Sequence, residues 1–139
     1  MTDRVAFSLN GAAVDADAEG SLLLALREEL GVTSVKDGCA PQGQCGCCTV
    51  LVDGEPRVAC VTPVTRVAGR SVVTVEGLPA AERDALAEAF CTSGASQCGF
   101  CTPGILVRLA WALRRGPVAR AGLDRALAAH LCRCTGWLS

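Results

Sequence analysis

Ten of the 139 residues are cysteine, and eight of these fall into two sets with the spacing of metal ligands. The first set is Cys39, Cys45, Cys48 and Cys60, spaced C-x5-C-x2-C-x11-C. The second is Cys98, Cys101, Cys132 and Cys134, spaced C-x2-C-x30-C-x-C. Thiolate sulfur is a soft, deprotonated ligand that selects zinc, copper(I) or iron–sulfur clusters. A four-cysteine set suits structural zinc as well as a [2Fe–2S] cluster, so the spacing leaves the metal open. His130 is the only histidine and Met1 the only methionine. A Rieske centre therefore lacks its ligands, and His/Met haem ligation has almost nothing to work with.

Composition narrows the setting in which these thiols act. A short, cysteine-rich chain is a disulfide scaffold when secreted and a metal protein when cytosolic. The start Met1-Thr2-Asp3-Arg4-Val5-Ala6-Phe7 has none of the basic, apolar and small-residue progression of a signal peptide, so a cytoplasmic metal protein is expected. No apolar run approaches the ~20 residues that cross a bilayer. With 13 Lys+Arg against 14 Asp+Glu there is no basic excess for a phosphate backbone, which argues against nucleic-acid binding. Half of the residues are apolar, high for a chain with little interior, so some apolar surface is expected to meet a partner.

The elements that must position the thiols divide at Gly77-Leu78-Pro79. Before it, Val5, Phe7 and Leu9 share a strand face, Asn10-Gly11 is a hairpin turn, and Ala12 to Ala16 returns. Ser21 caps a helix over about 21 to 30, with Leu22, Leu23, Leu26 and Leu30 on one face and Gly31 as its stop. The segment from Cys39 to Cys48, with Pro41, Gly43 and Gly46, is too irregular for an element and suited to wrapping backbone amides round an anion. Strands are expected at Thr49 to Val52, Arg57 to Val61 and Val72 to Val75. An open sheet crossed by one helix results, over residues 1–77.

After the boundary the apolar period changes from two to about 3.6, so residues 78–139 read as helical. Ala85, Leu86, Ala89 and Phe90 line one helix. Thr102 caps a second with Pro103 at its first position, which Gly116-Pro117 stops. Leu123, Leu127 and Leu131 form a third stripe running into Cys132. A helical unit this small is marginal on its core alone, and metal joining Cys98 and Cys101 to Cys132 and Cys134 would staple it.

Gly38-Cys39-Ala40-Pro41-Gln42-Gly43-Gln44-Cys45-Gly46-Cys47-Cys48-Thr49-Val50, with Cys60 beyond Asp53-Gly54, resembles a plant-type ferredoxin loop. Gln97-Cys98-Gly99-Phe100-Cys101-Thr102-Pro103-Gly104 and Leu131-Cys132-Arg133-Cys134-Thr135-Gly136-Trp137 are similar to the second cluster motif of the molybdenum hydroxylases. The two together, over nearly the whole chain, resemble the iron–sulfur subunit or domain of the xanthine dehydrogenase, aldehyde oxidoreductase and carbon monoxide dehydrogenase family.

The resemblance implies an α+β fold: a β-grasp, plant-type ferredoxin-like domain (1–77) followed by a small all-α, four-helix-bundle-like [2Fe–2S] domain (78–139). It implies two [2Fe–2S] clusters on the eight cysteines, and an oxidoreductase subunit that transfers electrons and carries no substrate site. The partners implied are a large subunit with a molybdenum–pterin cofactor and a medium subunit with FAD, in a dimer of heterotrimers. Electrons pass singly from molybdenum through the helical domain's cluster and then the ferredoxin-like one to FAD. By motif position Gln97 and Cys134 approach the pterin, and the Cys39 to Cys48 loop faces the flavin.

Two departures from the family accompany the match. The first spacing is usually C-x4-C-x2-C, whereas five residues separate Cys39 from Cys45, and Cys47 stands where a small residue is usual. Cys48 is the expected ligand, for its spacing from Cys45 and Cys60. The chain also ends at Trp137-Leu138-Ser139, where the family continues with a helical tail. Of the remaining residues, Cys47 reads as a bystander, Cys91 as a small buried hydrophobe, and His130 as a solvated residue at a helix end. Trp111 and Trp137 read as core or interface anchors, and Arg114-Arg115 as a solvated helix end. A freestanding two-cluster ferredoxin and a zinc-stapled adaptor are the alternatives. A net charge of −1 argues against the first, since a mobile ferredoxin docks through a strongly acidic face.

Overall fold

The computed structural model describes residues 3–135; Trp137 lies outside them. The chain opens with the expected hairpin, β1 (Arg4–Leu9) and β2 (Ala12–Asp17), in antiparallel register from Arg4 opposite Asp17 to Leu9 opposite Ala12. Asn10 and Gly11 turn it with φ of 51° and 86°, a left-handed pair that suits the twist of the strands. Ser21 caps α1 (Leu22–Leu24) by accepting from the amide of Leu24. The helix then widens into a π-helical turn (Ala25–Glu29), a local change that residue periodicity does not register. The widening leaves Leu30 and Val32 packed against the core.

Three more strands follow: β3 (Thr49–Val52), β4 (Glu55–Val58) and β5 (Ser71–Val73). The sheet order is β2-β1-β5-β3-β4, with β1 and β5 parallel and every other pair antiparallel. All four residues of β3 are buried, because helices cover both of its faces. Val50 and Val52 join Phe7, Leu9, Leu22 and Leu26 in one core; Leu51 joins Leu78, Val107 and Ala110 in a second.

Two strand expectations overran. Arg57 to Val61 stops at Val58, because Ala59–Val61 forms a 3-10 turn in which the Ala59 amide donates to the Cys48 carbonyl. Val72 to Val75 is replaced by Ser71–Val73 and a 3-10 turn at Val75–Gly77. Asn10 ties that exit to the hairpin, accepting from the Thr74 amide and donating to its hydroxyl, both at 2.9 Å.

The rest of the described chain carries three helices joined by turns: α2 (Ala80–Ser93), α3 (Thr102–Arg114) and α4 (Arg120–Ala126). The cap of α3 is Cys101 rather than Thr102, whose hydroxyl instead pairs with that of Ser96. Cys91 is exposed rather than buried, since α2 lies on the surface and buries no residue fully. The third stripe breaks before Leu131: α4 ends at Ala126, and turn bonds from Ala128 to Arg125 and His130 to Leu127 redirect the chain. Leu131 is consequently 58% exposed. His130, expected in solvent, is 5% exposed, because the same turn presses it onto Gly46.

Helix α3 starts so close to the Cys39 to Cys48 segment that Gly104 has no room for a side chain. A Cβ there would strike the Gly46 carbonyl oxygen and lie 3.2 Å from the Cys47 Cα. Backbone cannot yield as a side-chain tip does. Gly104→Ala is therefore expected to destabilise the protein by about 2 kcal/mol, read as a lower thermal midpoint of the purified protein. An unchanged midpoint would show that α3 shifts without cost.

Candidate metal centres

The loop between α1 and β3 has no regular secondary structure and carries its thiols on left-handed turns at Ala40 (φ 68°), Gly43 (φ 70°) and Gly46 (φ 74°). Ala40, in the five-residue span between Cys39 and Cys45, takes a conformation that an L-residue adopts at a cost. The irregular backbone turns amides toward sulfur. Gln42 donates to Cys39 Sγ at 3.1 Å, Cys47 to Cys45 Sγ at 3.4 Å, and Cys60 to Cys48 Sγ at 3.3 Å.

The second set repeats the device with different elements. Cys98 and Cys101 lie on the approach to α3, and Cys132 and Cys134 follow the turn after α4. Phe100 donates its amide to Cys98 Sγ at 3.5 Å and Thr135 to Cys132 Sγ at 3.4 Å.

Thiol meets thiol within each set: Cys39 and Cys47 with Cys45, Cys48 with Cys60, Cys98 with Cys134, and Cys101 with Cys132. Four thiols gathered in this way suit a two-iron centre, in which each iron takes two of them. Amide donors to sulfur fit it too, since they stabilise thiolate and added negative charge.

The electrostatics divide each set. Amides of Gln44, Gln42 and Cys45 hold Cys39 down at about 6. Burial raises Cys132, but the hydroxyl and amide of Thr135 outweigh it and bring the thiol to about 6. The amide of Phe100 and the thiol of Cys134 lower Cys98. Burial instead pushes Cys48 up to about 12 and Cys101 to about 11. A bound cation reverses that direction, because a coordinated thiol is deprotonated outright.

The two sets are in backbone contact. The amide of Leu131, next to Cys132, donates to the carbonyl of Cys45 at 2.9 Å. Phe100 reaches across as well: a Cβ on Gly38 would lie 3.1 Å from its ring and 2.8 Å from Cys45 Sγ. Cys47 is buried within the loop. It is 4% exposed, its thiol meets that of Cys45, it lies within electrostatic reach of Cys48 and Cys101, and burial raises it to about 12. Cys48, not Cys47, pairs with Cys60. Gln97, Cys98 and Cys134 are exposed at the outer end of the second set. His130 was missed as part of this junction. Its burial holds it down at about 4, aided by Arg108, and nothing in its sequence neighbourhood signals the contact with Gly46.

Known proteins match both halves. Residues 7–65 match the family described as "2Fe-2S iron-sulfur cluster binding domain", and residues 74–139 the family described as "[2Fe-2S] binding domain". The "Nicotinate dehydrogenase small FeS subunit" of Eubacterium barkeri is 36% identical over 94% of this chain and 85% of its own length. A probable xanthine dehydrogenase subunit of Bacillus subtilis (strain 168) is 40% identical over 81% of this chain, and the match spans only 65% of that protein. Among solved structures, quinoline 2-oxidoreductase from Pseudomonas putida 86 aligns at a TM-score of 0.90 and 38% identity, over 99% of this chain and 86% of that one. With two [2Fe–2S] domains matched along its length, the chain belongs to the electron-transferring iron–sulfur subunits of the molybdenum hydroxylase family.

Proposed function

We propose that Cys39, Cys45, Cys48 and Cys60 hold one [2Fe–2S] centre, that Cys98, Cys101, Cys132 and Cys134 hold the other, and that the chain relays electrons between two partner subunits. The gathering of each four-thiol set within its own matched [2Fe–2S] domain, with backbone amides turned onto the sulfurs, is the observation that carries this reading. The units are a β-grasp domain over 1–77 and a four-helix-bundle-like domain over 78–139. Bound in these thiols, such a centre supplies one-electron chemistry at iron. The chain's own residues set its surroundings: amides from Gln42, Cys47, Cys60, Phe100 and Thr135 neutralise thiolate charge, and the free amides at the start of α3 favour negative charge beside Cys101.

The end carrying Gln97 and Cys134 faces a large subunit with a molybdenum–pterin cofactor, and the Cys39 to Cys48 loop faces a medium subunit with FAD. Exposed Phe100 and Leu131, large apolar side chains flanking the second set, support a partner surface there. A cytoplasmic dimer of heterotrimers completes the reading. Among the described residues no helix is long and apolar enough to cross a membrane.

Two two-iron centres predict four irons per chain, with two distinct paramagnetic signals on reduction. Cys48→Ser is expected to remove the first centre while Cys47→Ser leaves both. Iron analysis decides, and iron loss from Cys47→Ser alone would move the ligand to Cys47. Gln97→Ala is expected to keep full iron and slow substrate-driven reduction in the assembled complex, losing about 1 kcal/mol of hydrogen bonding. Rapid mixing measures that rate, and an unchanged one removes Gln97 from the route.

A further inference from the structure

At the end of α3 away from Cys101, three arginines from two helices line one open cavity of about 380 Å³: Arg108 and Arg115 flanking α3 residue Trp111, and Arg125 on α4. The guanidinium carbons of Arg108 and Arg115 stand 4.7 and 4.9 Å from the centroid of the Trp111 ring. That stacking orders both side chains against the cavity wall. Arg108 also donates Nε to the Ala126 carbonyl at 3.0 Å, fastening α3 to α4.

The helix dipole accounts for Arg114 and Arg115 at the C-terminal end of α3. It does not account for Arg108, well inside the helix, or for Arg125 on the next one. Local carboxylates neutralise only part of the charge: Glu82 pairs with Arg114 at 2.7 Å and Asp124 with Arg120 at 3.3 Å, while Glu55 pairs with Arg115 at 3.8 Å and also acts electrostatically on Arg108. Among the described residues neither Arg108 nor Arg125 forms an ion pair. Three cations in one concavity against the single carboxylate of Glu55 leave a net positive potential.

We propose that this cavity is a docking site for an acidic segment of a partner polypeptide, with neighbouring carboxylates received by Arg108, Arg115 and Arg125. Guanidinium forks match carboxylates in geometry as well as charge. A nucleotide is disfavoured because its base would compete with two guanidiniums for the Trp111 ring. Val118 and Pro117 supply an apolar wall, and Gly116 and Gly122 bring the rim down to bare backbone, which suits a chain lying across it. The inference rests on the heteromeric reading above and not on which cysteines bind iron.

The test uses the complex purified through a tag on this chain, with subunit association followed by sedimentation and cluster absorption measured on the same samples. The double variant Arg115→Glu/Arg125→Glu is expected to keep its visible absorption and to weaken association about tenfold or more. Raising salt from about 50 to about 300 mM should weaken the unmodified complex and change the variant's less. A soluble oligoglutamate peptide should compete with assembly of the unmodified complex; an oligoglutamine peptide and inorganic phosphate should not. Unchanged association of a variant with intact clusters overturns the proposal, as does phosphate competing as well as oligoglutamate. If the double variant loses its clusters, the peptide competition on the unmodified complex decides alone. Absence of iron from every sample would instead overturn the electron-transfer reading.

Discussion

The structure depends on one close approach of backbone to backbone. Gly46, in the middle of the first thiol loop, lies against Gly104 of α3 on one side and against Ala129 and His130 on the other. A Cβ on Gly46 would stand 2.6 Å from His130 Nδ1 and 2.7 Å from the Ala129 carbonyl oxygen. Bare backbone on both sides lets Leu131 donate to Cys45, so the two thiol sets share one hydrogen bond instead of being separated by a layer of side chains. The cores follow from this: on one face of β3, Val50 and Val52 pack with Leu22, Leu26 and Phe7, and on the other Leu51 packs with Val107 and Ala110 of α3.

Burial across this junction is uneven, and the thiols show it. Cys45, Cys48 and Cys60 are buried, Cys101 and Cys132 half-buried, Cys98 and Cys134 exposed. Amide donors are distributed over both sets, so neither relies on solvent alone for charge neutralisation. Three of the four thiols of the first set are buried and none of the second.

What could be read from the sequence was what depends on near neighbours. The Asn10-Gly11 hairpin and the Ser21 cap each act over a few residues, and each stands in the structure. What misled was periodicity carried past a point where a distant contact takes over. Leu131 keeps the stripe of Leu123 and Leu127, yet its amide belongs to Cys45, so the helix ends first. Ala59–Val61 has β-forming residues, but the need to bring Cys60 beneath Cys48 curls it. His130 and Cys91 were placed by composition, and tertiary packing exchanged their expected burial.

The two edges of the sheet bear on how this protein can associate. On β4 the residue opposite Leu51 is Pro56, which has no amide to offer a neighbouring strand. The other edge, β2, carries Asp15 and Asp17, with Arg4 of β1 and Glu29 folded over them in a network of ion pairs and hydrogen bonds. Neither edge is an inviting template for another strand. Sheet extension is therefore obstructed on both sides, which guards against runaway fibre-like stacking and leaves loops and helix faces as the surfaces through which a companion subunit gains a hold.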